Sequence, residues 1–237
     1  VKKQIISFKN GLAELPQLLV AALGESLHTN VSIKSIQKIG ADWRVDWNGK
    51  THIYDEVLVT TPSHALDKLP FDELLQKSLQ PLLAIDYSPV SVLTVAFKHS
   101  DVAHPLDGFG MLVPECEGRK ILGVLFPASI FANRAPAGEV LLTVFVGGER
   151  QAKLAVPDKD TLLATVLPEL KELFGTTGEP TFSHHRHWPR AIPQYNIGYG
   201  KMLARMEAIE KKFVGLKLAG NYRDGISLSQ CIEAAVS

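Results

Sequence analysis

The sequence has no excess of charge of either sign. Its 237 residues include 25 basic and 25 acidic side chains, so the formal net charge at pH 7 is zero. A chain without a net positive field lacks the general electrostatic attraction that holds nucleic acids non-specifically. The composition therefore predicts that nucleic acid is not a partner.

Cysteine is scarce, and long apolar runs are missing. Cys116 and Cys231 are far apart and form no C-x-x-C motif, which is typical of a reducing compartment with free thiols. No apolar run approaches the length of a membrane-spanning helix, and the N-terminus has no signal-peptide core. We expect a cytoplasmic protein, with peripheral contact with a membrane left open. Because the first residue is Val1 and not Met, we also expect the chain to begin within a longer protein.

Complete nucleotide-binding fingerprints are absent as well. "GFGMLV" at Gly108 and "GYGKML" at Gly198 contain G-x-G without the third glycine of the dinucleotide motif. Neither a Walker-type loop nor a G-x-S-x-G elbow occurs. The stretch "HHRH" at 184–187 has no Cys, Asp or Glu beside it, so we predict no metal site.

The periodic patterns predict an α+β chain. A short strand at residues 4–8 precedes a helix at 12–23, and alternation at Trp43, Val45 and Trp47 with a turn at Asn48-Gly49 predicts a three-stranded meander. After Pro62, broken helix is followed by a mostly antiparallel sheet. Its predicted strands are "SPVSVLTVAFK", "GFGMLVP", "KILGVLFPAS" and "GEVLLTVFVGG". A helix at 158–175, with Asp158 or Asp160 as its cap and Gly175 as its stop, is followed by another strand at "TFSHHRHWP" and a helix in "GYGKMLARMEAIEKKF".

Two segments near the C-terminus are candidates for binding. "HWPRAIPQYNIGYG" predicts an irregular path that presents Trp188, Tyr195 and Tyr199, either as an aromatic wall for a flat ligand or as a hydrophobic plug. "GLKLAGNYRDGISLSQCIEAAVS" predicts a strand, a glycine turn and a helix opening near Ser227. That arrangement suits an anion at the helix N-terminus, although, for this segment taken alone, glycines with positive φ and an ordinary serine N-cap are the favoured explanation.

Several stretches together resemble the flavin-dependent protoporphyrinogen oxidases of the monoamine-oxidase-like superfamily. They are "GFGMLVP", "ILGVLF", "RAPAGEVLLTVFVGG", "AIPQYNIG" and "LAGNYRDGISLSQCIEAA", in this order. Members of that family are about twice as long and begin with the G-x-G-x-x-G unit that is absent here. The chain thus resembles the C-terminal half of such an enzyme. In "FKNGLAELP" it has Asn10-Gly11 where the family usually has two glycines.

The resemblance implies FAD as cofactor and assigns candidate residues to it. Ile33 would lie near the adenine, and Trp188 near the isoalloxazine. The remaining cofactor candidates are Thr60, Thr61, Pro62, Gly220, Asn221, Gly225, Ile226, Ser227 and Leu228. Phe109, Gly110, Leu112 and Phe145 would line a flat apolar pocket for the tetrapyrrole. Because the flavin carries the redox chemistry and a helix N-terminus can stabilise its reduced edge, we name no catalytic residue.

The resemblance also implies two lobes and a parent function. Residues 1–62 and 193–237 would be the remnant of a Rossmann-like FAD-binding domain, and 63–192 a substrate lobe with an antiparallel sheet backed by helices. The parent would oxidise protoporphyrinogen, or a related porphyrinogen, in haem synthesis. Without the missing N-terminal half as partner, we expect the chain to be inactive and to bind FAD weakly or not at all. One alternative is an oxidase of amines or carotenoid precursors, which is disfavoured because "GNYRDGISLSQC" lacks the aromatic pair typical of amine oxidases. A second alternative is a non-catalytic substrate-binding or interaction fragment.

Overall fold

The computed structural model describes residues 5–236, and the chain separates into two compact units. Within the described range, unit 1 comprises residues 5–85 and 195–236, and unit 2 comprises residues 86–194. The sequence puts 63–85 in the substrate lobe, whereas the contacts place this segment in unit 1. A backbone bridge joins Phe71 to Ile36, and Leu66, Leu75 and Leu79 are buried. The assignment of either unit to cofactor or substrate stays a prediction.

The N-terminal part of unit 1 contains a helix and the predicted meander. Helix α1 (Glu14–Leu23) is followed by strands β1 (Ile33–Ile39), β2 (Asp42–Trp47) and β3 (Lys50–Tyr54), paired antiparallel in this order. Both turn residues between β2 and β3 have positive φ, as the Asn-Gly signal requires for a tight hairpin. The strand at 4–8 is wrong for residues 5–8, since the described residues offer it no pairing strand; Gln4 lies outside the described range.

Asp46 is the polar anchor of the meander. Its carboxylate accepts hydrogen bonds from Ser35 Oγ at 2.6 Å, Thr51 Oγ1 at 2.6 Å and Arg44 Nε at 3.1 Å. These bonds, from Ser35 first and then from Thr51 and Arg44, lower the pKa of the Asp46 carboxyl from 3.8 to about 2. The charged form of this carboxylate therefore stabilises the meander.

A two-stranded parallel sheet forms the rest of the β-structure of unit 1. Strand β4 (Val57–Val59) pairs in register with the last strand of the chain, β10 (Leu216–Leu218). Parallel strands need a crossover between them, and here the whole of unit 2 lies in that connection. The remaining helices of unit 1 are α2 (Glu73–Leu79), α5 (Gly200–Lys212) and α6 (Leu228–Val236), with 3₁₀ turns at Ser63–Lys68 and Gln80–Ala84.

Unit 2 is one antiparallel sheet with helices, as predicted. Its strands are β5 (Tyr87–Lys98), β6 (Gly110–Leu112), β7 (Gly123–Leu125), β8 (Glu139–Gly147) and β9 (Phe182–Pro193), in the spatial order β6-β7-β8-β5-β9. The helices are α3 (Pro127–Ile130) and α4 (Lys159–Phe174). Asp158 caps α4 and Gly175 ends it in a left-handed conformation, which confirms the predicted limits.

One face of this sheet packs on α4, and the other face is more open. Leu142 and Val144 of β8 are fully buried in one cluster with Leu162, Val166 and Leu170 of α4. The pairing of β9 with β5 continues to Pro193, so the irregular path predicted from residue 187 begins only after this proline. Among residues 5–236, no helix is both long and apolar enough to cross a bilayer.

Candidate functional site

The turn between β10 and α6 is tightly constrained. Gly220 and Gly225 have φ angles of +135° and +114°, in the region that L-residues rarely adopt. A Cβ on Gly225 would lie 2.6 Å from the Gln230 side chain. The N–H groups of Arg223 and Asp224 both donate to the carbonyl of Gly220. The turn is thus closed on itself, and its glycines are required by the backbone.

Ser227 caps α6, as the sequence predicts. Its Oγ accepts from the N–H of Gln230 at 3.2 Å, and its own N–H donates to Gln230 Oε1 at 3.1 Å. This reciprocal pair is a capping box. The N–H groups of Leu228 and Ser229, in the first turn, have no acceptor within the helix. They give this end of α6 the partial positive charge that favours an anion.

Two tyrosines hold the turn from the N-terminal side of α5. Tyr195 Oη donates to the carbonyl of Asn221 at 2.6 Å and accepts from the N–H of Gly225 at 3.1 Å. Tyr199 Oη donates to the carbonyl of Tyr222, and the rings of Tyr195 and Tyr199 stack with centroids 4.5 Å apart. The sequence predicts these rings only as an aromatic wall for a flat ligand or as a hydrophobic plug. Their hydroxyl partners lie more than 20 residues away, beyond any local pattern.

An ion pair that the sequence analysis missed lies beside the same turn. The Arg223 guanidinium binds both carboxylate oxygens of Glu210, with 3.1 Å between Nη2 and Oε2. The hydrogen bond to Glu210 raises the pKa of Arg223. Burial alone would raise the pKa of Glu210, but hydrogen bonds from Arg223 and from the Leu218 N–H outweigh it and lower that pKa. Both groups are therefore charged at neutral pH.

A cavity of about 590 Å³ opens at the carboxyl ends of β4 and β10. It is lined by Leu58, Thr60, Glu210, Lys217, Leu218, Ala219, Gly220, Arg223, Asp224, Cys231, Ala234 and Ala235. Ligands of open α/β sheets bind at this end of the strands. The cavity brings together Thr60 and Gly220 from the predicted set. Next to Thr60, the Thr61 hydroxyl oxygen is buried and has no hydrogen-bond partner among the described residues.

The other predicted cofactor residues of unit 1 lie outside the lining of this cavity. Ile33 is the first residue of β1 and is partly exposed, and Pro62 precedes the 3₁₀ turn at Ser63–Lys68. Asn221 and Ile226 belong to the turn itself. Their contact with a ligand stays a prediction.

Two of the predicted substrate residues share one face of the sheet of unit 2. Leu112 of β6 pairs with Gly123 of β7, which pairs with Phe145 of β8, so Leu112 and Phe145 point to the same side. That side is the one opposite α4, and Leu112 is 86% exposed there. Gly110 has a structural role, because a Cβ there would lie 2.3 Å from the carbonyl oxygen of Val124.

Phe109 and Trp188 are also in unit 2. Both side chains are about half exposed, and the Arg186 guanidinium lies 4.6 Å from the centroid of the Trp188 ring. The structure therefore places Trp188 and the cavity residues in different units. Whether Trp188 approaches a cofactor stays a prediction.

The histidine-rich stretch lies on β9. His187 Nδ1 is 3.1 Å from the buried hydroxyl of Ser91, and burial lowers the pKa of His185. Among residues 5–236, no group of three or more His, Cys, Asp or Glu side chains could hold a metal ion.

Comparisons with known proteins identify a family and several relatives. The model of the flavin-containing amine oxidoreductases matches residues 2–237. The chain is 37% identical over 189 residues to the mitochondrial protoporphyrinogen oxidase of Nicotiana tabacum, covering 76% of this chain and 37% of that protein.

Two solved structures show the same fold. A candidate protoporphyrinogen oxidase from Exiguobacterium sp. 255-15 gives a TM-score of 0.80 at 22% identity, covering 97% of this chain and 50% of that one. Cyclohexylamine oxidase from Brevibacterium oxydans IH-35A gives 0.70 at 15% identity, with 94% and 50% covered. The chain thus spans half or less of the length of these relatives. With the family model matching almost every residue, the chain belongs to the flavin-containing amine oxidoreductases.

Proposed function

We propose that this chain supplies one half of an FAD-dependent oxidase that converts protoporphyrinogen, or a related porphyrinogen, to the porphyrin. The observation that carries the proposal is the 37% identity to the tobacco enzyme, whose name states its substrate. The amine oxidase reported above is 15% identical, which supports the fold alone.

The residues of unit 1 fit part of a flavin dinucleotide. The cavity at the strand ends has small residues in its wall, which leave room for an extended ligand beside Gly220. The orphaned hydroxyl of Thr61 is a buried polar atom of the kind that a ligand satisfies. The first turn of α6 offers N–H groups to a phosphate or to a flavin carbonyl. When bound, FAD would accept the hydride from the substrate, and the chain would hold and orient it.

The other half of the cofactor site would come from a segment with a dinucleotide fingerprint that these 237 residues lack. Two surfaces of unit 1 favour such a partner. The N–H of Val57 donates to the carbonyl of Gly215, and the carbonyl of Val59 accepts from the N–H of Ala219. The N–H and carbonyl of Leu58 therefore point to the opposite edge of β4, where no described strand lies. Leu58 is 62% exposed. Helix α1 has no buried residue although most of its side chains are apolar.

The substrate would lie on the open face of the sheet of unit 2. Leu112 and Phe145 provide apolar surface there. A tetrapyrrole is apolar in its middle, and such a surface buries that part without a charged partner. Because the flavin would carry the redox step, the proposal names no catalytic acid or base among these residues.

The test is a fusion of this chain to the N-terminal half of the tobacco relative. Purified fusion would be assayed for bound flavin, for porphyrin fluorescence from protoporphyrinogen, and for peroxide from cyclohexylamine. We expect bound flavin and porphyrin formation with no amine turnover. Amine turnover without porphyrin would favour the amine oxidase alternative, and bound flavin without either activity would favour a non-catalytic module. Tight stoichiometric flavin on the 237-residue chain alone would contradict the half-site.

A further inference from the structure

Strand β10 has two edges, and side chains close the outer one. The N–H of Ala219 donates to Val59, so the N–H and carbonyl of Leu218 point away from β4. The Leu218 N–H donates to Glu210 Oε1 at 2.8 Å, and its carbonyl accepts from Arg223 Nη1 at 2.7 Å. Glu210 and Arg223 thus take the hydrogen-bonding place of a neighbouring strand.

The same pair is linked to the glycine turn. Arg223 is itself a turn residue, and its Nε lies 3.7 Å from Asp224 Oδ1. The other oxygen of Asp224 accepts from the N–H of Gly220 at 3.1 Å. One connected set of contacts therefore runs from α5 through Arg223 and Asp224 to the backbone of Gly220.

These residues lie where a change in their contacts would alter the wall of the cavity. Glu210, Arg223, Asp224 and Gly220 all line it. The side chains of Arg223 and Glu210 are 23% and 13% exposed, so the pair is mostly removed from water. A partly buried ion pair of this kind is weak evidence for stability, because desolvation offsets much of its attraction. The planar guanidinium is bonded to both carboxylate oxygens, and this geometry fixes the orientation of the two side chains more than it adds to the stability of the fold.

We propose that Glu210 and Arg223 are positioning residues for the ligand of this cavity. They act through the backbone of Leu218 and Gly220 and hold the turn in the shape that the ligand meets. That the ligand is FAD rests on the proposed function; the positioning role rests on the contacts of the chain itself.

The experiment uses the 237-residue chain, labelled with ¹⁵N, and FAD at up to millimolar concentration as the probe. Glu210→Gln keeps the size of the side chain and removes its charge. Glu207→Gln is the matched control, because Glu207 lies on the same helix and is exposed. The double variant Glu210→Gln/Arg223→Met removes both charges of the ion pair.

We expect Glu210→Gln to shift the amide signals of Leu218 and Gly220 in the ligand-free chain, and to weaken FAD binding by about tenfold, while Glu207→Gln does neither. If the pair only stabilises the fold, the double variant regains wild-type FAD affinity along with its stability, since apolar replacement of a buried pair is often neutral or stabilising. If the pair positions the turn, the double variant folds and still binds weakly.

Equal FAD affinity in wild type and Glu210→Gln would overturn the proposal. Absence of FAD binding in the wild-type chain would count against flavin as a ligand of this half alone. The ligand-free spectrum then decides the positioning role by itself. Unchanged amide signals at Gly220 in Glu210→Gln would overturn it, and shifted ones would support it.

Discussion

The hydroxyl of Tyr195 offers a sharp test of how the C-terminal turn is held. In Tyr195→Phe, the carbonyl of Asn221 loses a donor at 2.6 Å and the N–H of Gly225 loses an acceptor at 3.1 Å. Each such bond contributes about 0.5–1.5 kcal/mol net. Because Tyr195 is 43% exposed, water replaces part of the loss, and we expect local opening to become about 1–2 kcal/mol easier.

The measurement is hydrogen exchange of the Gly225 amide, followed by NMR. A decrease of one to two kcal/mol in the opening free energy speeds exchange about 5- to 30-fold. Tyr54→Phe is the control, since Tyr54 is equally exposed at 42% and its hydroxyl has no hydrogen bond among the described residues. An unchanged Gly225 rate in Tyr195→Phe, or an equal increase in Tyr54→Phe, would refute the reasoning.

Three further predictions concern stability. Leu142→Ala, in the core of unit 2, should destabilise that unit by about 2–5 kcal/mol in urea unfolding, whereas Leu112→Ala should have little effect because Leu112 is exposed. Gly215→Ala places a Cβ 2.7 Å from a backbone oxygen, whereas the control Gly198→Ala, at a similar φ, places it in open space. Both variants lose about 1–2 kcal/mol of stability to the backbone conformation, and we expect Gly215→Ala to lose more because of the clash. A smaller loss of stability for Gly215→Ala than for Gly198→Ala in thermal melting would contradict the clash. The lowered pKa of Asp46 means that its contribution is present above pH 3.8 and is lost as the pH falls toward 2; Asp46→Asn should flatten acid unfolding in that window, and an unaltered profile would show that the network is unimportant.

Local patterns were reliable where the signal and the structure share the same few residues. The Asn48-Gly49 turn, the end of α4 at Gly175 and the Ser227 cap of α6 were predicted and are found. Of the two predicted caps of α4, Asp158 and Asp160, the structure uses Asp158. A cap or tight turn satisfies its own backbone groups within three or four residues. Such features depend little on the rest of the chain.

Predictions failed where pairing with a distant strand decides whether a segment is a strand or an irregular loop. The segment "HWPRAIP" contains two prolines and reads as irregular, but its pairing with β5 carries the strand to Pro193 at a sheet edge, where proline is tolerated. Residues 5–8 have strand-like composition and no pairing strand in the described part of the chain. A strand exists only with its neighbour, so composition alone cannot settle it.

The amino-acid sequence by itself determined the α+β class, the antiparallel sheet, the glycine turn and, through its motifs, the flavoprotein family. Only the tertiary structure decided how that turn is held. Tyr195 lies 26 residues from Asn221, and Glu210 lies 13 residues from Arg223, at separations that follow no helical or strand period. These contacts arise because α5 packs beside β10, and periodicity within one element does not indicate which residues of another element its side chains contact.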